Sequence, residues 1–451
     1  MTDPPRNVVP LREATRAWFH ISLQTFGGPA GQIAVMQRSL VDERRWLGER
    51  RFMHALSYCM LLPGPEAQQL AIYTGWLLNG WLGGLIAGVL FVLPGFLALL
   101  ALSVAYVAFG DNAVVTGLFL GLAPAVVAIV VQAMLRLGGR ALHNRALVSL
   151  AVASFLALAV FALPFPVVVL GAGVAGWWIG RRRPDLMRHQ ERAAADDGVR
   201  PAVPDEALHH ARPSARRNFL ILGVGLVVWV TPAAIAFGLA SGQSTVFTDQ
   251  ALFFGAMSLV TFGGAYAVLS YVAQAAVTHY GWLSANEMIR GLALAETTPG
   301  PLIMVVQFVA FLGAYRDPGA LDPWVAGVLA SMLTVWVTFV PCFLFIFLGA
   351  PYVERLRGSE ALSTALTGVT SAVVGVIANL AAFFALNTLF EETTRVGWDR
   401  FGLLVPVWSS YVWESFAITA LALVLVFRWN WSVLRILGVC ALAGLGLSLL
   451  G

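Results

Sequence analysis

The sequence contains no lysine and few charged residues of either sign. All 28 basic residues are arginine, and aspartate and glutamate together contribute only 24 of the 451 residues. Charged residues make up 12% of the chain and hydrophobic residues 59%, whereas a soluble globular protein has about 25% charged residues. This composition excludes a water-soluble globule and predicts a polytopic membrane protein. The missing lysine is most simply explained by codon bias, and we attach no mechanism to it.

Motifs of several functional classes are also absent. The sequence has no phosphate-binding glycine-rich loop with a lysine, no His-Glu-x-x-His motif and no Gly-x-Ser-x-Gly turn. We therefore expect neither an enzyme nor an ATP-driven pump. Cys59, Cys342 and Cys440 lie in apolar runs without paired spacing, which predicts buried thiols rather than a disulfide or a metal site. We expect no cofactor and no metal. We also expect no nucleic-acid partner, because the arginines concentrate in short loops, where they act as orientation signals.

Apolar segments long enough to cross a hydrocarbon layer of roughly 30 Å recur along the chain. In the first half they occupy residues 78–108, 113–135, 145–162 and 165–180. They resume at residues 218–240, 250–276, 288–314, 323–348, 361–389, 403–427 and 430–450. The hydrophilic stretch between the two sets, residues 181–217, carries nine arginines and four prolines. We predict an all-α membrane protein whose hydrophilic linker is cytoplasmic.

Two glycine and proline signatures each occur twice, at one constant offset of 236 residues. Thr25–Gly28 (Thr-Phe-Gly-Gly) recurs at Thr261–Gly264, and Pro63–Pro65 (Pro-Gly-Pro) recurs at Pro299–Pro301. Further along, Pro94 and Gly121 match Pro341 and Gly368 at an offset of 247, which places an eleven-residue insertion near residues 315–322. Duplication with helix breakers inside apolar segments is typical of secondary transporters.

The repeats are predicted to have inverted topology. We assign residues 1–180 to the N-terminal repeat, 181–217 to the linker, 218–240 to an extra connecting helix and 250–451 to the C-terminal repeat. One extra crossing reverses the second repeat. The loop at residues 38–51 has five arginines and its counterpart at 277–287 has none. The positive-inside rule therefore places the first loop, the N-terminus and the linker in the cytoplasm.

This orientation leaves the number of crossings open. Because both ends of the segment at 17–37 look cytoplasmic, that segment is either re-entrant or broken near Gly27, or it crosses fully against the charge rule. The same alternatives apply to residues 52–75 around the first Pro-Gly-Pro. Whichever holds, a break in lipid is tolerated only where its backbone groups face protein or water.

The breaks are predicted to form one shared anion site. A helix that starts after a Pro-Gly-Pro or Gly-Gly break presents unpaired amides and the positive end of its dipole, and such ends bind anions. Threonine hydroxyls beside the breaks can donate hydrogen bonds, and glycines permit close approach of the backbone. Packing kinks are the structural alternative. The predicted substrate-binding residues are Thr25, Gly27, Gly28, Gly64, Thr261, Gly263, Gly264, Thr297, Thr298 and Gly300.

Four further residues are predicted to act in coupling or gating. Glu66 and Glu296 lie in apolar stretches beside the two Pro-Gly-Pro breaks, where carboxylates are costly and often functional. Their protonation can couple proton movement to anion movement, although favourable placement in a first helical turn also explains Glu66. His54 and Arg290 are equivalent at the 236-residue offset and either attract anions or lie at the membrane surface.

The chain closely resembles the chromate ion transporter family in its long, two-domain form. The resemblance covers both halves, in Phe26–Met36, Arg44–Leu47, Leu62–Pro65, Gln69–Gly75, Thr261–Ala267 and Thr298–Pro301. It implies export of chromate from the bacterial cytoplasm across the inner membrane, and hence chromate resistance, with sulfate as a chemical mimic. Proton coupling and a homodimer are compatible with this resemblance. A passive anion channel is the alternative, because inverted repeats with broken helices also build channels.

Overall fold

The computed structural model describes residues 8–110, 112–187, 214–239, 245–262, 264–352, 360–398 and 401–450. Helices dominate these residues, which confirms the predicted all-α polytopic membrane fold. Gly263 and residues 188–213, which form most of the predicted linker, lie outside the described residues.

The described residues form α-helices separated by short connections. The first half contains α1 (Leu11–Ser22), α2 (Gly28–Gln37), α3 (Glu49–Cys59), α4 (Glu66–Phe109), α5 (Ala113–Ala141), α6 (Arg145–Ala159), α7 (Phe165–Arg182) and α8 (Pro184–Met187). The second half contains α9 (Ala215–Leu239), α10 (Val246–Val260), α11 (Ala265–Gln274), α12 (Ala285–Thr297), α13 (Val305–Arg316), α14 (Pro323–Gly349), α15 (Glu360–Leu389), α16 (Trp413–Phe427) and α17 (Val433–Leu450).

Helix length separates full crossings from partial ones. Within the described part of the chain, α4, α5, α9, α14 and α15 are long and apolar enough to cross a membrane. Helices beside the signatures are much shorter, with 12 residues in α1, 10 in α2 and 11 in α3. A crossing needs about 20 residues, so each of these helices reaches only part of the way. The predicted break near Gly27 is confirmed.

The chain packs into two compact units. Unit 1 comprises Met1–Ala101, Gln190–Gly264 and Thr298–Ser359, and unit 2 comprises Leu102–His189, Ala265–Thr297 and Glu360–Gly451. Each unit therefore contains segments from both sequence repeats, and α4 continues from unit 1 into unit 2.

Unit 1 has a core of large apolar side chains from α1, α3, α4 and α14. Trp18, Phe52, Leu70 and Ile346 are all fully buried there. On the outside of the unit, α9 packs on α10 and α14 but buries none of its own residues. Two tryptophans bind α9 to α14, because Trp229 Nε1 donates to the Val337 carbonyl and Trp336 Nε1 to the Val228 carbonyl, both at 2.9 Å. The remaining apolar surface of α9 suits lipid.

Unit 2 is built around α5 and α15, which pack against each other. α5 also contacts α16 and α17, and α15 contacts α6 and α7. The crossing of α5 and α17 is so close that a Cβ on Gly121 would lie 1.8 Å from the Cys440 carbonyl oxygen. A Cβ on Gly444 would lie 2.2 Å from the Gly121 nitrogen. Small residues thus set this helix contact, as is common in membranes.

The two sequence repeats share local structure after each Thr-Phe-Gly-Gly signature. A π-helical turn follows α2 at Arg38–Glu43 and another follows α11 at Ala275–His279. Equivalent backbone bonds close both turns, from the Trp46 amide to Leu40 at 2.8 Å and from the Trp282 amide to Ala276 at 2.9 Å. These residue pairs are separated by the same 236-residue offset as the signatures, so the duplication extends to hydrogen bonding.

Two features differ from the sequence expectations. The segment predicted as one helix at 403–427 instead begins as a strand, β2 (Phe401–Pro406), which pairs antiparallel with β1 (Thr393–Trp398). The α-helix of this segment starts only at Trp413, the first residue of α16.

In addition, α4 joins two predicted segments but is interrupted at Asn79 and Gly80, where the backbone is not helical. Gly80 has φ of 60°, a value that glycine adopts without steric cost.

Candidate functional site

The signature breaks that lie in unit 1 depend on glycine backbone angles. Gly27, Gly64, Gly264 and Gly300 have φ values of 80°, 123°, 101° and 100°. Positive φ of this kind is strained for any residue with a Cβ. Glycine at these positions therefore lets the chain turn sharply between one short helix and the next, as the sequence predicts.

The Pro-Gly-Pro break of each repeat is hydrogen-bonded to the Thr-Phe-Gly-Gly break of the other. The Gly64 amide donates to the Thr261 carbonyl at 2.7 Å, and the Gly300 amide donates to the Thr25 carbonyl at 3.0 Å. Both donors and both acceptors are equivalent at the 236-residue offset, so the two bonds are reciprocal. Buried backbone groups within a membrane need partners. Here each repeat supplies the partner for the other, and the breaks come together inside unit 1.

Two glutamine side chains brace the same region. Gln32 Nε2 donates to the Gly300 carbonyl at 2.5 Å, and Gln69 Nε2 donates to the Pro63 carbonyl at 2.7 Å. A Cβ on Gly64 would lie 2.9 Å from Gln69 Nε2 and equally close to Cys342 Sγ. Any larger residue at position 64 must displace both groups. Sequence reasoning misses Gln32, whose signal is a lone polar side chain in an apolar segment.

The threonine hydroxyls at the breaks bond to carbonyls three or four residues before them in the chain. Thr25, Thr261 and Thr297 donate to the carbonyls of Ser22, Met257 and Leu294 at 2.7–2.8 Å. A hydroxyl has one hydrogen to donate, so an oxyanion has to compete with these carbonyls for it. Thr25 Oγ1 also accepts a hydrogen bond from the Gly300 amide at 3.2 Å. Thr298 is buried immediately before the second Pro-Gly-Pro.

Helix starts in unit 1 present unpaired amides at the breaks. In α4, Gln69 is the first residue whose amide bonds to a preceding carbonyl, that of Pro65 at 3.0 Å. The amides of Glu66, Ala67 and Gln68 have no backbone acceptor among the described residues. α2 likewise begins at Gly28 behind Gly27. Such starts combine unpaired donors with the positive end of the helix dipole.

Glu66 brings a carboxylate to this region. It is the first residue of α4, is half-buried, and makes no hydrogen bond or ion pair within the described part of the chain. A Cβ on Gly264 would lie 3.9 Å from Glu66 Oε1, so the carboxylate of one repeat reaches the Gly-Gly break of the other. The α4 dipole stabilises negative charge at this position.

Glu296 lies in different surroundings, in unit 2. It is buried one residue before the end of α12. Tyr266, the second residue of α11, donates its hydroxyl to Glu296 Oε1 at 2.5 Å, whereas Oε2 has no hydrogen-bond partner among the described residues. The negative end of the α12 dipole does not favour an ionised carboxylate there. Sequence reasoning does not identify Tyr266, which has no polar counterpart in the first repeat.

The two basic candidates, His54 and Arg290, also have separate settings. Arg290 Nη1 donates to the Tyr106 hydroxyl at 3.3 Å, and its guanidinium lies 5.4 Å from the centre of the Phe119 ring. These contacts hold the guanidinium against aromatic side chains of unit 2. His54 is half-buried in α3 of unit 1.

Comparison with known proteins gives one consistent result. A family model described as "Chromate transporter" matches residues 12–177 and 248–445. A chromate transport protein of Pseudomonas aeruginosa is 33% identical over 359 residues, which cover 79% of this chain and 76% of that protein. A chromate transport protein of Cupriavidus metallidurans is 28% identical over 388 residues, covering 86% of this chain and 85% of that protein. A probable chromate transport protein of Synechococcus elongatus is 27% identical over 385 residues, with 85% and 87% coverage.

No solved structure matches the chain. The family match nevertheless covers both repeats and leaves out the linker and the whole of α9. It also includes all the signature breaks that meet in unit 1. Since the match extends over well more than half of the residues, this multi-pass membrane protein belongs to the chromate transporter family.

Proposed function

We propose that this protein is a secondary transporter that exports chromate from the bacterial cytoplasm across the inner membrane. Family membership and the names of the relatives support chromate as the substrate. Sulfate is a tetrahedral oxyanion of the same charge and is proposed as a second substrate or competitor. The central linker and the N-terminus face the cytoplasm in this proposal, as the loop charges indicate.

The observation that carries the proposal is the reciprocal pair of hydrogen bonds between the breaks. Gly64 with Thr261 and Gly300 with Thr25 bring the breaks of both repeats into one unit. Helix starts at these breaks supply amide donors and positive dipole ends that can bind an anion. An oxyanion bound by such neutral donors can also be released again. Broken helices at a repeat interface bind substrates in this way in other secondary transporters.

Inverted repeats would let such a site open to either side. If the two repeats have opposite orientation, the reciprocal bonds relate them by an approximate two-fold axis in the membrane plane. A conformational change in one repeat that opens the site to one side of the membrane then has an equivalent in the other repeat, which opens the site to the opposite side. We propose Glu66 and Glu296 as the groups that couple this exchange to protons. Protonation of Glu66, beside the breaks, removes the repulsion between its carboxylate and the anion.

Chromate uptake into everted membrane vesicles tests this proposal directly. We expect saturable uptake by the wild type, and a fall of about tenfold or more in Gly64→Leu and Gly300→Leu. A side chain at Gly64 overlaps its neighbours, and the positive φ at both positions is strained for any residue with a Cβ. Gly223→Leu is the matched control, since a Cβ on Gly223 of α9 meets nothing within 4 Å. Each variant is compared at equal amounts of protein in the membrane.

Three results would contradict different parts of the proposal. No chromate uptake by the wild type contradicts the function. Normal uptake in both Gly64→Leu and Gly300→Leu contradicts the site. Ohmic chromate current without saturation, recorded across a planar bilayer, contradicts a carrier and favours the passive anion channel.

A further inference from the structure

Gln68 is a fully buried polar side chain without a partner. Its exposed fraction is 0%, and neither Nε2 nor Oε1 has a hydrogen-bond partner among the described residues. An amide buried in this way loses its hydrogen bonds to water without gaining others, which destabilises the folded protein. Buried polar groups therefore normally have partners. Gln68 is an exception, which indicates that a bound ligand makes these missing hydrogen bonds.

Gln68 lies at the start of α4, where an anion site is proposed. It is the third residue of that helix, and its own backbone amide is among those without a backbone acceptor. Helical side chains tilt toward the N-terminus of their helix. We therefore expect the Gln68 side chain to be directed back over the Pro-Gly-Pro break, toward the same end of α4 as the unpaired amides.

Neighbouring glutamines in unit 1 already use their amide hydrogens. Gln69 Nε2 donates to Pro63, Gln32 Nε2 to Gly300 and Gln307 Nε2 to the Phe96 carbonyl. Gln250 Nε2 donates to the Ala310 carbonyl. Gln68 thus differs from these glutamines in leaving both its donor and its acceptor for a ligand.

The side chain of Gln68 supplies a hydrogen-bond acceptor, which the backbone N–H groups of a helix start cannot supply. A helix start offers only donors, whereas a glutamine side chain offers two N–H donors and a carbonyl acceptor. Near neutral pH, part of chromate carries one proton as hydrogen chromate, whereas sulfate and selenate carry none. Only the protonated oxyanion can donate to Gln68 Oε1 while it accepts from Nε2 and from the α4 amides.

We propose that Gln68 is a substrate-binding residue that selects a singly protonated oxyanion, and thereby favours chromate over sulfate. This inference rests on the proposed transport function and on the site at the start of α4. A site that hydrogen-bonds to a hydroxyl of its substrate rejects an analogue that lacks the hydroxyl, because a buried polar group of the site then has no partner. The selectivity resides in one repeat, since position 304, the counterpart of Gln68 at the 236-residue offset, is methionine.

Competition measurements in proteoliposomes test the role of Gln68. Purified wild type and Gln68→Met are compared for chromate uptake, and sulfate and selenate are added as competitors. Selenate is closer to chromate in size than sulfate is but lacks the proton, so it separates protonation from size. We expect Gln68→Met to reduce the preference for chromate over both competitors by about tenfold, the value of one good hydrogen bond. Gln250→Met is the control for loss of a buried glutamine amide elsewhere in unit 1.

A second variant distinguishes loss of a substrate contact from a purely structural effect of the substitution. Gln68→Glu keeps the shape and the acceptor oxygens but repels a fully ionised dianion, so the preference for chromate is expected to stay at or above that of the wild type. Opposite behaviour of Gln68→Met and Gln68→Glu cannot come from misfolding. An unchanged preference in Gln68→Met, or an equal loss in both variants, overturns the inference while leaving chromate transport by the wild type intact. Absence of wild-type transport overturns the proposed function instead.

Discussion

At the residue level, the two carboxylates of the apolar segments have opposite helix environments. Glu66 begins a helix and has no side-chain partner within the described residues, whereas Glu296 lies at the end of a helix and accepts a hydrogen bond from Tyr266. The dipole favours the ionised form of the first and disfavours that of the second. The two residues are therefore expected to have separate roles, in keeping with their lack of repeat equivalence.

Replacing Tyr266 by phenylalanine tests the role of this hydrogen bond in stability. Tyr266→Phe leaves both oxygens of Glu296 without a partner among the described residues, at a cost of about 1–3 kcal/mol in the free energy of unfolding. Thermal unfolding in detergent measures the loss. Tyr411→Phe is the control, since Tyr411 is 62% exposed and its substitution is expected to leave the unfolding temperature unchanged. Equal unfolding temperatures for Tyr266→Phe and the wild type would show that the bond is not stabilising.

Replacing Glu296 by glutamine tests its proposed part in proton coupling. Glu296→Gln keeps the size of the side chain and can still accept from Tyr266, so the protein is expected to fold. It can no longer gain and lose a proton, and we expect an imposed proton gradient to stop driving chromate uptake into proteoliposomes. Glu391→Gln, on an exposed residue of the hairpin region, is expected to respond like the wild type. A gradient response retained by Glu296→Gln would remove this residue from the coupling mechanism.

At the level of helices and strands, the helix breaks are the features that the sequence predicts best. Glycine and proline act locally, so Gly27 and Gly64 predict where the short helices end. The strand β2 is not predicted, because Phe401–Pro406 is an apolar run whose periodicity does not distinguish strand from helix. The β-branched residues Thr393, Thr394 and Val396 in β1 are the signal that favours a hairpin there.

Local sequence patterns do not predict the hydrogen bonds between the breaks. The bond from Gly300 to Thr25 joins residues 275 positions apart, and no periodicity encodes such a pairing. Repeat equivalence can suggest it, because two related segments often meet across a two-fold axis. Gln32 and Tyr266 escape prediction for the same reason, since their importance depends on a partner elsewhere in the chain.

The close crossing of α5 and α17 gives a prediction at this scale. Gly444→Leu is expected to destabilise unit 2, typically by about 1–3 kcal/mol or more, because its side chain would overlap the backbone of α5 at Gly121. Gly446→Leu, two residues further along α17, meets nothing within 4 Å and is expected to be tolerated. Thermal unfolding of the two variants in detergent compares them. Similar stability of both would contradict the tight crossing.

At the level of the whole molecule, the predicted inversion of the repeats leads to a simple prediction about accessibility. Asp42 and Thr278 are equivalent at the 236-residue offset, and both are exposed in the turns that follow α2 and α11. The positive-inside rule places the first turn in the cytoplasm and the second outside it. The native cysteines are all buried, so a single introduced cysteine reports on its own position.

Labelling with a membrane-impermeant maleimide measures this difference. We expect Asp42→Cys to react in everted vesicles and not in intact spheroplasts, and Thr278→Cys to react in spheroplasts and not in everted vesicles. Labelling after solubilisation in detergent gives the total reactive fraction for each. Reaction of both cysteines from the same side would mean that the repeats run parallel.

The reciprocal hydrogen bonds between the breaks also constrain biosynthesis. When the first repeat leaves the ribosome, the Thr25 carbonyl and the Gly64 amide have no partners, because Gly300 and Thr261 have yet to be made. Their final pairing has to wait until residue 300 has entered the membrane. The early helices are therefore expected to remain hydrated or loosely inserted during synthesis, and to reach their final depth only when the second repeat joins them.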